Sequence, residues 1–250
     1  MPLVNRELTR PLAQLLIPVA DDSWMMGQHA LHWVGHAPTP DDDLFEATRS
    51  QTYLRHAYAL YAFIAELDAP SFGLTIYSRP AGRWRHAGLF AQSCRTWPEW
   101  LIRTYCFESF DTIRRRALHH IAYAPLTALW ETIDQERRTY ASEAARRISQ
   151  EARRGANQHD ALQNALEQDW TDLAELSEWG APDEAWATWD IWLLKPSVMR
   201  QQFAELMTTH FTASGFAIPG ELPPANRHAR HHDAVDNGEA TLADMTRTAR

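Results

Sequence analysis

The sequence predicts an all-α fold, a helical bundle, on three observations. Apolar residues recur at three- and four-residue steps along most of the chain. Glycine and proline are scarce inside those runs and gather between them. No segment shows the convincing apolar–polar alternation of a half-buried strand.

The elements follow in order. A short helix spans Ser23–Val34, entered through the polar Asp21–Ser23. A long one spans Asp41–Leu67, with Leu44, Ala47, Tyr53, Leu54, Ala57, Tyr58, Leu60, Tyr61 and Ile64 in helical register. Asp41–Asp43 follow Pro40 and place carboxylates at its positive end. Residues 69–88 carry prolines and glycines and read as a long connection, with a little strand at Leu74–Tyr77. A second pair, Trp97–His120 and Pro125–Arg154, has Pro125 in a first turn. Ala161–Trp179 and Ala185–Ala213 add C-terminal helices, with stops at Gly180, Pro182 and Gly215. Two long pairs joined by a longer crossover are the arrangement of a ferritin-like helical bundle. After Ile218 the composition shifts to Pro219, Pro223 and Pro224, then a His/Arg/Asp/Asn mixture with few apolar anchors. The domain reading is therefore a bundle over 1–219 and a polar, flexible tail over 220–250.

Composition narrows the function classes. Apolar residues make up 45% of the 250, enough for a sizeable core, and eleven tryptophans imply aromatic helix contacts. A net charge of −8 with no dominant basic stripe argues against nucleic acid. Arginines cluster at Arg114–Arg116 and Arg153–Arg154, but acidic neighbours make both read as solvated helix faces. Two cysteines, Cys94 and Cys106, cannot form a disulfide framework and suit a reducing cytoplasm. The N-terminal apolar run, bracketed by Asn5–Arg10 and Asp21–Asp22, is too short for a signal peptide. No stretch approaches about 18 consecutive apolar residues, so no membrane-spanning helix is expected.

Several strings share an order and spacing with one family. Gly27-Gln28-His29-Ala30, Gly35-His36-Ala37-Pro38 and Gln51…His56…Leu60-Tyr61 come first. Ala122-Tyr123-Ala124-Pro125, Trp189-Asp190-Ile191-Trp192, Met199–Phe203 and Gly215–Pro219 follow. Together they resemble the phenylacetyl-CoA monooxygenase (epoxidase) family, over roughly Asp21 to Pro223. That family's catalytic A-type and structural C-type subunits are paralogous ferritin-like bundles, and the Gly35–Pro38 string is more similar to the C-type. The resemblance implies a part in phenylacetic acid catabolism, where an aromatic ring held as a CoA thioester is epoxidised with oxygen and reductase electrons.

An iron site in such a bundle takes one carboxylate from each of two helices and a Glu-x-x-His from each of the other two. None of the twelve histidines here has a Glu or Asp three residues before it. By resemblance the first carboxylate falls at Trp33, or at His32 in the C-type register. The second-helix motif becomes Tyr53-x-x-His56, the third-helix carboxylate survives as Glu108, and the fourth-helix motif becomes Arg137-x-x-Tyr140. A register one position off would bring Glu136 inward instead of Arg137. A buried carboxylate left alone is costly, so Arg137 is expected to supply the lost positive charge, pairing with Glu108 or lying near His56. Trp33, Tyr53 and Tyr140 are bulky enough to fill the vacated space.

The expected metal site is therefore degenerate, residual only in His56 and Glu108, with no cofactor expected; di-iron is the outcome if that reading fails. His29, His32 and His36 have metal-compatible spacing but read as surface or hydrogen-bonded residues, because Asp21 and Asp22 lie across a turn. The adjacent His119 and His120 read as one exposed and one semi-buried residue. In the tail, His228, His231 and His232 read as solvated. Trp179, Trp186, Trp189 and Trp192 read as core or subunit interface. Neither cysteine has an evident activating partner.

The leading expectation is a structural, non-catalytic subunit, forming a homodimer or a hetero-oligomer with a paralogous ferritin-like subunit. The alternative is an enzyme that uses the remodelled cavity, with His56, Glu108, Tyr53 and Tyr140 as an acid–base cluster acting on an aromatic or acyl-CoA ligand. A third is a free-standing binding protein for such a ligand.

Overall fold

A computed structural model describes residues 6–67, 79, 83–118, 121, 123–178 and 195–224. The described elements are all helical, and their order is α1 (Arg6–Trp33), α2 (Pro40–Glu66), α3 (Trp97–Leu118), α4 (Ala124–Arg137), α5 (Tyr140–Ala152), α6 (Ala156–Leu173) and α7 (Pro196–Ala213). Short 3-10 turns stand at Gly88–Phe90 and Ala174–Ser177. The chain is an all-α, ferritin-like helical protein. Its described residues fall in two compact units, the first reaching Ser93 and the second beginning at Cys94. The strand expected at Leu74–Tyr77, the four tryptophans from Trp179 to Trp192, His119–His120 and the tail beyond 224 lie outside the described residues.

The first unit is an antiparallel helix pair. α1 is much longer than the expected Ser23–Val34, because Leu12, Leu15, Leu16, Val19 and Ala20 continue its buried stripe toward the N-terminus. That burial outweighs Pro11 and Pro18, which sit inside the helix and each cost about 3 kcal/mol in an isolated one. Asp21 and Asp22 are thus mid-helix and buried, not a polar entry. The pair meets closely at Gly27, where Ser50 Oγ donates to the Gly27 carbonyl at 2.9 Å. The Trp24 and Tyr58 rings lie edge to face at 5.9 Å. Gly35, at φ 83°, makes the turn between the helices. Thr39 caps α2 by accepting from the Asp42 N–H at 3.2 Å, with Pro40 in the first turn.

In the second unit α3 is the core helix, buried on nearly every side. The expected single helix over Pro125–Arg154 is broken at Arg138–Thr139. No proline or glycine marks the break; β-branched Thr139 takes φ −100°, ψ −8°, and its carbonyl accepts from the Glu143 N–H at 2.9 Å to start α5. α6 begins at Ala156 rather than Ala161, since Gly155 at φ 139° reverses the chain just before it. It ends at Leu173 and tightens into the 3-10 turn. α7 closes with the Phe216 N–H on the Phe211 carbonyl at 2.9 Å and Gly215 at φ 83°, the geometry of a Schellman motif.

Candidate functional site

Of the six sequence-selected positions, Trp33, Tyr53 and His56 belong to the first unit and Glu108, Arg137 and Tyr140 to the second. All six side chains are buried. Each unit has its own geometry.

In the first unit α2 turns a polar ridge inward: Glu46, Arg49, Tyr53 and His56, spaced at three and four residues. Arg49 Nη1 donates to Glu46 Oε1 at 3.0 Å, and its Nη2 donates to the Tyr53 hydroxyl at 3.2 Å. The same guanidinium lies 5.4 Å from the Phe45 ring and 5.6 Å from that of Tyr53. Tyr53 therefore belongs to a buried polar chain with Arg49 and Glu46. Sequence reasoning missed Glu46 and Arg49, although their i, i+3 spacing on the same face as Tyr53 was a readable signal. Trp33 ends α1 with its ring edge-on to that of exposed His32. His32 in turn stacks on His36 at 5.6 Å, while His29 meets the Phe90 ring.

A second polar group in this unit centres on α1. Asp21 accepts from the Tyr61 hydroxyl at 2.5 Å, from Arg79 Nη1 at 2.5 Å and from the Arg85 backbone N–H at 2.6 Å. Asp22 accepts from the Ala87 N–H at 2.7 Å. Burial, with the Asp21 carboxylate beside it, pushes the Tyr61 phenol well above its usual range. These two aspartates fasten the connection after α2 to α1, which is why they tolerate burial.

The second unit brings Glu108 and Arg137 together. Arg137 Nη2 and Nε donate to Glu108 Oε2 at 2.8 and 3.2 Å, and Nη1 reaches Asp111 Oδ2 at 2.8 Å. Arg114 donates to Asp111 Oδ1 through Nε at 2.9 Å and Nη2 at 2.5 Å. Arg115 pairs with Asp111 and, through Nε, with Asp134 at 2.6 Å. Three arginines, Arg114, Arg115 and Arg137, thus meet the carboxylates of Glu108, Asp111 and Asp134. Burial alone would raise the Asp111 pKa, but Arg114, Arg115 and Arg137 hold it well below the usual carboxylate range. Glu136 points to solvent while Arg137 is buried. Tyr140 opens α5, on the buried stripe that continues through Ala144, Ile148 and Glu151.

Arg114 and Arg115 correct the expectation of a solvated charge run. They are buried because Asp111 and Asp134 accompany them, and only Arg116 of that cluster is exposed. Arg153 and Arg154 do face solvent, the latter paired with Glu151 at 2.9 Å. Elsewhere in the unit Arg103 makes a two-point bond to Asp169 at 2.8 and 2.9 Å. Both thiols are buried; burial drives Cys94 up to about 12 and Cys106 well above its ordinary value.

An iron pair needs carboxylates free to bridge it. Glu108 and Asp111 are already engaged by guanidinium groups, and a dication between them would meet like charge at hydrogen-bond distance. Among the described residues no three His, Cys, Asp or Glu side chains gather as a metal site.

A family model described as phenylacetic acid catabolic protein matches residues 3–250. The chain belongs to that family. No curated protein matches it. The phenylacetic acid catabolic family is part of a multi-subunit phenylacetyl-CoA oxygenase complex. Among the described residues no helix is long and apolar enough to cross a membrane.

Proposed function

We propose that this chain is a structural, non-catalytic subunit of a phenylacetyl-CoA-monooxygenase-like system. In this reading residues 1–219 form the ferritin-like bundle, residues 220–250 form a tail, and the di-iron ligands have been replaced. The observation that carries it is the contact of Arg137 with both Glu108 and Asp111. A fixed organic cation does the neutralising that metal would otherwise do, at no risk of loss or redox cycling. The buried Glu46–Arg49–Tyr53 chain supports the same reading for the first unit, since it spends the α2 ridge on internal pairing. No resident cofactor is needed for this role. The partner is a paralogous ferritin-like subunit that carries the chemistry, or a second copy in a homodimer. The aromatic or acyl-CoA ligand then belongs to the assembly.

Metal analysis of the chain, produced in iron-replete cells, tests the reading. Iron far below one equivalent is expected, together with co-purification of a metal-bearing paralogue when the two are made together. About two irons per chain, the content of an intact bundle site, overturns it. Turnover by the chain alone on an aromatic CoA thioester, without metal, would favour the acid–base enzyme instead.

A further inference from the structure

The last turn of α7 is seated on α3 through one histidine. His210 is the basic residue of that turn, and its ring lies 4.6 Å from the Tyr105 ring with an interplanar angle of 33°. Phe211 stands edge-on to both rings, 5.4 Å from each. The imidazole is half-buried, but its Nε2 atom is shut off from water and has no hydrogen-bond partner. The one oxygen on the facing ring does not serve it, because the Tyr105 hydroxyl bonds with Ser109.

The same turn carries the chain from α7 onto α6. The Phe216 N–H closes on the Phe211 carbonyl at 2.9 Å, and the Ser214 hydroxyl donates to the His210 carbonyl at 3.2 Å. Gln163 of α6 donates to the Ala217 carbonyl at 3.0 Å and accepts from the Ala217 N–H at 2.9 Å. Where the His210 ring sits therefore bears on the backbone from Phe211 to Ala217.

Protonation decides whether that seat is tolerated. A neutral imidazole has one N–H, which Nδ1 can carry while Nε2 keeps only a lone pair. An imidazolium must donate from both nitrogens, and the N–H at Nε2 then has no acceptor, a costlier fault than an idle lone pair. Tyr105 and Phe211 offer π faces to the charge but no lone pair to that N–H. Burial accordingly holds His210 below the ordinary histidine value, the sole cause acting among the described residues. On α3 it faces the Tyr105 phenol, with the Cys106 thiol next in sequence, and burial drives both up and keeps them neutral. On α6 the ring contacts lead to His159, which stacks on Phe216 at 4.4 Å, while Phe216 meets Phe211 at 5.5 Å. On α7 itself Glu205 is exposed and bonded to Gln201, and the turn at Ala174–Ser177 meets α7 at Arg200, ten residues before His210.

We infer that His210 is a proton-operated latch. As the neutral imidazole it seats the last turn of α7 on α3; on protonation its ring leaves the Tyr105 stack to hydrate Nε2, which loosens the backbone from Phe211 to Ala217. Because the folded pKa lies below the unfolded value of about 6.5, the stability contributed is fully present above that value. It is lost as pH falls through that value toward the folded pKa.

Two measurements on the full chain test the latch. Imidazole titration by NMR, with the His210 signals assigned by their loss in His210→Phe, is expected to give a pKa below about 6.5. A value at or above that overturns the latch. H210F keeps a ring against Tyr105 but cannot take a proton, so urea midpoints of both chains at about pH 7.5 and pH 5.5 cancel the other histidines. Wild type is expected to lose more than H210F over that interval. Amide exchange at Phe216, corrected for its intrinsic pH dependence, is expected to quicken at the lower pH in wild type alone. An equal or larger loss in H210F, or unchanged exchange in wild type, overturns the latch. If H210F fails to fold, His210→Gln, neutral at both pH values, takes its place in each comparison.

Discussion

Arg137 donates to Glu108 Oε2 at 2.8 Å across twenty-nine residues of sequence, and each side chain is 1% exposed. Such a pair gives modest net stability when intact, because desolvating both charges offsets most of their attraction. Breaking it on one side is different, since the remaining charge stays buried. Arg137→Met is therefore expected to lower the unfolding free energy by about 3–5 kcal/mol in urea titration. The double variant Arg137→Met with Glu108→Leu should recover much of that loss. A single variant no less stable than the double would show that the pair is not sealed from water.

Asp111 sets a pH dependence whose sign follows from its depressed pKa. Arg114, Arg115 and Arg137 overcome burial and hold the folded carboxylate below the unfolded value of about 3.9. The stability this contributes is fully present above that unfolded value and falls away as pH drops toward the folded pKa. Wild type should thus lose stability progressively below about pH 4, while Asp111→Asn, already weaker at pH 7, loses less over the same interval. Urea titrations of both chains at pH 7 and pH 3 give the comparison. Equal losses would place the acid sensitivity elsewhere.

Much of this was legible in the sequence, for particular physical reasons. The α2 and α3 boundaries follow from apolar periodicity, helped for α2 by Pro40 and the carboxylates after it, and the absence of a carboxylate three residues before any histidine needs only counting. For Arg137 the sequence leaves two places open, beside Glu108 or near His56, and its guanidinium lies on Glu108 Oε2. The length of α1 was hidden by Pro11, Pro18 and the Asp21–Asp22 pair, each a local signal to stop that tertiary burial overrides. Arg114 and Arg115 were misread because a charge run resembles a solvated face until its carboxylates are placed on the same ridge. The α4–α5 break has no strong local mark at all, and the grip of Gln163 on Ala217 joins residues fifty-four apart.

Gly27 tests the close approach of α1 and α2. A Cβ built there would stand 2.8 Å from the Leu54 Cδ2 and Cγ atoms and 3.2 Å from the Leu54 backbone nitrogen. The side chain can shift, but the backbone contact persists and separates the helices. Gly27→Ala gains about 1 kcal/mol of helix propensity, yet overpacking costs typically 1–3 kcal/mol, so a net loss of roughly 1 kcal/mol is expected. Thermal or urea unfolding checks it. A stabilised variant would mean that the pair has slack at this crossing.

The thiols predict a chemical silence that depends on the fold. With burial pushing Cys94 to about 12, only about one molecule in ten thousand carries the thiolate at pH 8, against roughly a quarter for an unperturbed cysteine. Cys106 is driven up by burial as well, and reagent access is closed to both. Thiol alkylation followed by mass analysis should find the native chain unmodified at both positions while the urea-unfolded chain takes two labels. The native rate should be at least about a hundredfold slower, and label that does enter should track unfolding rather than pH alone. Fast native labelling confined to Cys94 would show that the turn before α3 opens on its own. Labelling of Cys106 would require the second unit to part around its core helix, and would count against α3 as the fixed centre of that unit.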